Sequence, residues 1–206
     1  MTYIKEIAYY QEDRSEVPNQ DLAVKLATGN NKEGLDEMAT YLMDKNKSVA
    51  SDCLKVLYEV SYINPSLIVD YFDTFRNLLN SKNNRMVWGS MIAISSIATV
   101  APDKVYEIKD LILNKIETGS VITNVHGVYA IIHLASFDVY YYELKDILFE
   151  LQRKCRPVDF AKRAESICEV VRENELGEFI DLLEKRIPEL SNAAQKRVLK
   201  VIKKIN

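Results

Sequence analysis

RMVWGSMIAISSIATVAPDKVYEIKDLILNKIETGSV, residues 85–121, reads as a helix, a proline-marked turn and a second helix. Met86, Ala93, Ile94, Ile97 and Ala98 recur at helical spacing and mark one apolar face. Pro102 interrupts that pattern, because it lacks an N–H donor and pushes Ala101 away from helical geometry. Asp103 stands just inside the next helix, where a carboxylate meets the positive end of the helix dipole. Val105, Ile108, Ile112 and Ile116 form a second apolar stripe, and Gly119 supplies a stop. Neither helix buries its stripe alone, so the pair needs neighbours.

The neighbours stand in the same chain. A shift of 37 residues places Pro102 on Pro65, Ala93 on Val56, Ile94 on Leu57 and Ile97 on Val60. It also places Ile112 on Phe75 and then Met38, and Ile116 on Leu79 and then Leu42. Forward, Ile94 meets Ile131 and then Ile167, and Ile112 meets Leu148 and then Leu183. An apolar pattern that returns every 35–37 residues as helix–turn–helix is the mark of an α-solenoid, in which each unit buries its face against the next. Over roughly residues 32–190 the chain resembles the HEAT-repeat family, and SKNNR (81–85) before an apolar helix looks like that family's turn between its two helices. The resemblance implies an all-α, right-handed solenoid of about four to five HEAT-like helix pairs. It is nearly silent on function, since such repeats serve many roles.

We expect one domain over residues 1–206, with an N-terminal cap (1–31), the repeats (32–190) and a C-terminal capping helix (191–206). First helices are predicted near 32–43, 66–80, 103–117, 139–154 and 176–187. Second helices are predicted near 47–62, 85–100, 122–136 and 158–173, with a closing helix at 191–204. In the cap, Pro18 is expected to end a short first helix, and DLAVKLAT (21–28) to form another. The connections KNK, NPS, SKNN, TGS, RP and NELG are all short turn formers.

No run approaches the roughly 18 uninterrupted apolar residues of a membrane span, and the N-terminus lacks a signal-peptide layout, so we expect a cytoplasmic protein with no membrane partner. A net charge of −3 argues against nucleic acid as the main partner. Three cysteines, Cys53, Cys155 and Cys168, form no CxxC pair and read as reduced thiols. His126 and His133 are the only histidines, seven apart, about 10 Å along a helix at ~1.5 Å per residue. That is too far for one metal ion, so neither a metal nor a cofactor is expected. No nucleophile–base–carboxylate pattern or phosphate-binding loop is present, and a non-enzymatic role is expected.

Two surface patterns remain. Asp36, Asp73, Asp110, Asp146 and Asp181 occupy one place in five successive first helices, and Glu33, Asp70, Glu107, Glu143 and Glu178 stand three residues earlier. Residues three apart are helix-surface neighbours, so this acidic ladder is either a solvated face or a surface for a basic partner. The second helices give a contrast. Asp52, Lys55 and Glu59 in the first copy, and Lys162, Glu165 and Glu169 in the fourth, are charged. The middle copies carry Gly89, Ile92 and Ser96, then His126, Tyr129 and His133, with Trp88 alongside. In HEAT-like arrays second helices line the concave side, so the resemblance implies a partly aromatic centre there. We expect a protein or peptide partner to dock around Trp88, Ile92, His126, Tyr129 and His133, with binding that responds to pH between about 5 and 7. The alternative is packing of Trp88 and Tyr129 between helices.

The closing helix, SNAAQKRVLKVIKKIN, carries Lys196, Arg197, Lys200, Lys203 and Lys204, which favour the negative end of its dipole or attract a nucleic acid or an acidic partner. A second functional reading is a nucleic-acid-binding or DNA alkylation-repair-like protein. Those glycosylases are HEAT-like solenoids with a basic, Trp-lined groove, and Trp88 on a second helix is similar. The single tryptophan and the acidic balance depart from that pattern, and the family's catalytic Asp maps onto no position here.

Overall fold

A computed structural model describes residues 2–205. Among the described residues there are twelve α-helices, a few short 3-10 turns and no strand. The chain divides into two compact units, one ending at Ala130 and the other beginning at Ile131.

The first unit holds α1 (Val17–Thr28), α2 (Lys32–Thr40), α3 (Lys47–Ile63), α4 (Phe72–Leu78), α5 (Asn84–Ile97), α6 (Pro102–Tyr106) and α7 (Lys109–Thr118). Helix α8 (Val121–Ala135) starts in it. Asparagines open its elements: Asn31 Oδ1 accepts from the Gly34 N–H, Asn46 from Ser48, Asn64 from Ser66 and Asn83 from Arg85. Each satisfies a donor the helix leaves orphaned, a contribution of about 1 kcal/mol. The apolar stripes pack as the repeat requires. Val56, Leu57, Val60, Phe75, Leu79, Ile94, Ile97, Ile112 and Ile116 are all buried.

Two details differ from expectation. Pro18 does not end a helix; it lies in the first turn of α1, where a missing N–H costs nothing because that donor has no partner within the helix. The N-terminal segment forms instead a 3-10 turn, Tyr3–Glu6. The predicted single first helices at 66–80 and 103–117 are also each in two pieces. The former begins as a 3-10 stretch, Pro65–Tyr71, before α4, and the latter breaks between α6 and α7 at Glu107–Ile108, where the Ile108 N–H bonds the Val105 carbonyl in a tightened turn. These repeats therefore carry three helical pieces.

The second unit holds the end of α8, then α9 (Asp138–Lys154), α10 (Pro157–Cys168), α11 (Leu176–Arg186) and α12 (Asn192–Ile205). Ile131, Leu148, Ile167, Leu183, Val198 and Ile202 are buried, and Phe149 stacks on Phe179 with centroids 5.6 Å apart. Successive second helices α10 and α12 are tied at their surface by a bidentate Arg197–Glu165 pair (2.8 and 2.6 Å) and by Lys204–Glu169 (2.6 Å). Part of the closing helix's basic run is thus spent on its neighbour.

Candidate functional site

One face that keeps aromatic surface lies on α3 and α5. Gly89 makes it. A Cβ there would stand 2.6 Å from Leu54 Cδ2 and 2.9 Å from Leu54 Cγ, so α5 approaches α3 as only glycine allows. The close approach sets Trp88 against Tyr58, with ring centroids 5.8 Å apart, and Tyr58 in turn meets Tyr62 edge-on at 6.3 Å. Tyr58 is buried, Trp88 is half-buried and Tyr62 keeps 55% of its surface. Below them, the Ser61 hydroxyl donates to Ser96 across the two helices.

Charges frame the rings. The Arg85 guanidinium lies over Trp88, 5.7 Å from the ring centroid, and Lys55 Nζ lies over Tyr58 at 4.9 Å. Lys55 is buried, and its ammonium reaches Glu59 at 2.5 Å and Glu16 at 2.9 Å. Burial opposes its charge, but the bonds to Glu59 and Glu16 outweigh that and hold its pKa above the ordinary lysine range. Burial, with Glu59 nearby, pushes the Tyr62 phenol up to about 12. Glu16 also meets Arg85 at 3.4 Å.

The sequence-derived residues fall as follows. Trp88 sits in this group with part of its surface open. Ile92 does not line it. At 5% exposure it packs inward, and buried Gly89 and half-buried Ser96 face α3 as well, because the glycine contact turns that side of α5 toward its neighbour. His126 and Tyr129 are half-buried on α8, with rings 6.0 Å apart, and His133 is half-buried seven residues further on. In the ladder, Asp36, Asp73, Asp110, Asp146 and Asp181 are all exposed, as are Glu33, Asp70, Glu107, Glu143 and Glu178. It is not bare. Lys32 meets Asp36 at 2.6 Å and Asp70 at 3.5 Å, Arg76 meets Asp73 at 3.2 Å, and Arg153 meets Glu178 at 3.2 Å. Asp36 also accepts from the Tyr71 hydroxyl at 2.7 Å, and with Lys32 this holds its carboxyl below the ordinary range. Among the described residues no three His, Cys, Asp or Glu side chains gather as a metal site, and no helix is long and apolar enough to cross a membrane.

No protein-family model and no curated protein matches the sequence. Solved structures do match the fold. An engineered protein superimposes with a TM-score of 0.64 at 13% identity, covering 100% of this chain and 97% of its own. A designed armadillo repeat protein, solved in complex with the peptide (KR)4, gives 0.66 at 16% identity, covering 91% and 87%. Computationally designed armadillo repeat proteins for modular peptide recognition give 0.63 at 13%, covering 99% and 98%. The fold is an armadillo-like α-solenoid. The three-piece repeats around α4 and α6–α7 agree with the armadillo pattern of three helices per repeat, where a HEAT repeat has two.

Proposed function

We propose that this armadillo-like chain is a non-enzymatic binding protein that holds a peptide or protein segment on its second helices, anchored at Trp88. One observation carries the reading. Trp88, the only tryptophan, keeps open surface although α3 and α5 close tightly beside it, and it continues through Tyr58 to the exposed ring of Tyr62. Large rings with few rotatable bonds bury much area at small entropic cost, which is why Trp and Tyr dominate binding hot spots. His126 and Tyr129, half-buried on α8 in the same unit, extend the same reading. The designed armadillo proteins that share the fold include one solved with a bound peptide, and this supports a segment as the ligand.

The test is selection of peptides from a random library on the purified full chain, followed by titration with Trp88 emission as the signal. Selected peptides are expected to move that emission and to lose affinity by tenfold or more for Tyr62→Ala, with the helical signal unchanged. Trp88→Phe, followed by calorimetry, is expected to weaken them as well. Peptides that bind with no change in either variant would sink the reading.

A further inference from the structure

The charges beside Trp88 point to what the bound segment carries. Two cations from different helices, Lys55 on α3 and Arg85 on α5, converge on the two oxygens of one carboxylate, that of Glu16. Lys55 has only 6% of its side chain exposed, whereas Glu16 is 52% exposed. Glu16 precedes α1 as its N-cap residue, yet its side chain makes no capping bond. Its carboxylate is therefore committed to this seat alone, and one side-chain rotation returns it to water without moving α1. Glu59 stays on Lys55 when Glu16 leaves, so the buried ammonium keeps a partner and the seat persists with Arg85 uncompensated. Three residues before Lys55, the Asp52 carboxylate accepts the Tyr9 backbone N–H at 2.9 Å. The chain's own N-terminal segment thus supplies a backbone donor and a carboxylate to one helix face. Positions three apart on a helix are separated by about 4.5 Å along its axis, a span that one or two residues of extended chain cover at about 3.3 Å each.

We propose that Lys55 and Arg85 form a carboxylate seat, filled in the free protein by Glu16 and taken over by a Glu or Asp side chain of an acidic peptide partner. The proposal rests on the binding face of the preceding section and names the chemistry of its ligand. Glu16 acts as a tethered competitor at high effective concentration, so it weakens a partner whose carboxylate must take its place. A peptide is favoured over a nucleic acid because the seat takes one carboxylate between Asp52 and Glu59, which repel a continuous phosphate backbone more than a chain whose charges are separated by neutral residues.

The experiment titrates the full chain with a synthetic (Glu-Ala)4 peptide, its (Gln-Ala)4 analogue, (Lys-Arg)4 and a short DNA duplex at low salt, reading Trp88 emission under the Arg85 guanidinium. Glu16→Gln is expected to bind (Glu-Ala)4 tighter than the unmodified chain by up to about fivefold, the upper range for partly exposed ion pairs. The gain disappears in Glu16→Gln/Arg85→Gln and at high salt, and neither (Gln-Ala)4 nor (Lys-Arg)4 shows it. Circular dichroism confirms that each variant folds. Equal affinity in the unmodified chain and Glu16→Gln overturns the seat, as does no response to (Glu-Ala)4 in either. The binding face is judged separately, by the library-selected peptides. Tighter binding of the duplex than of the peptide by Glu16→Gln overturns the peptide assignment in favour of phosphate.

Discussion

Gly89→Ala tests the contact on which both the α3–α5 packing and the exposure of Trp88 depend. The added methyl would stand 2.6 and 2.9 Å from Leu54 Cδ2 and Cγ, about 1 Å inside a normal carbon contact, and Leu54 is itself buried at 1% exposure. Overpacking of this kind costs about 1–3 kcal/mol. Alanine regains about 1 kcal/mol over glycine within a helix, so the net loss is about 0–2 kcal/mol. The sign becomes decisive in a cycle with Leu54→Ala. That change alone costs about 2–5 kcal/mol. In its background the methyl that Gly89→Ala adds enters the space Leu54 vacated, and the substitution turns stabilising by about 1 kcal/mol. Thermal and urea melts of the four proteins read the coupling, and for a chain of this size each kcal/mol moves the melting temperature by about 2–4 °C. Trp88 emission should shift in Gly89→Ala, because its ring rides on the displaced helix. If Gly89→Ala stabilises both backgrounds by the same ~1 kcal/mol, α3 and α5 do not meet at this glycine.

Other consequences are open to direct measurement. Ile94→Ala should cost about 2–5 kcal/mol in urea unfolding, and a loss under about 0.5 kcal/mol would contradict its place in the core. Asp36→Asn should slightly destabilise, by under about 1 kcal/mol, and less at high salt, since the amide oxygen that replaces the carboxylate lacks the charge that attracts Lys32; a gain in stability would mean that repulsion along the acidic face dominates instead. The bond to Arg197 lowers the Glu165 carboxyl below its ordinary 4.5, so its stabilisation is present above that pH and is lost as pH falls through the lowered value. Glu165→Gln should therefore melt lower than the unmodified chain at pH 7, and the gap should close on acidification below about pH 4.5; a gap independent of pH would remove the ion pair as its cause.

The helices were legible because burial imposes a period. Ile94, Ile131 and Ile167 stand 37 and 36 residues apart and are all fully enclosed, and the turn formers KNK and SKNN mark the starts of α3 and α5. The breaks within the first helices were not legible. The turn at Glu107–Ile108 has no proline or glycine, and Pro65 and Pro102 signal a start without saying how long the first turn persists. Trp88 was readable as a candidate by its rarity, but its neighbours were not. Gly89 and Ile92 sit at positions that a shared register assigns to the outer face, and the Leu54 contact turns them inward. Tyr58 and Tyr62 carry a signal, four apart on one helix with Lys55 three residues before. Glu16 carries none. It lies 39 residues before Lys55, in a cap outside the repeat register, and only folding brings it to Lys55 and Arg85.

A single tryptophan gives a single indole N–H resonance. Adding a library-selected peptide to isotope-labelled protein and following that resonance tests the binding face most directly. The account predicts that the Trp88 indole signal and the Tyr62 amide shift together and saturate at the affinity measured by calorimetry. Saturable binding that leaves both in place, while residues of the acidic first helices or of α12 move, would contradict it.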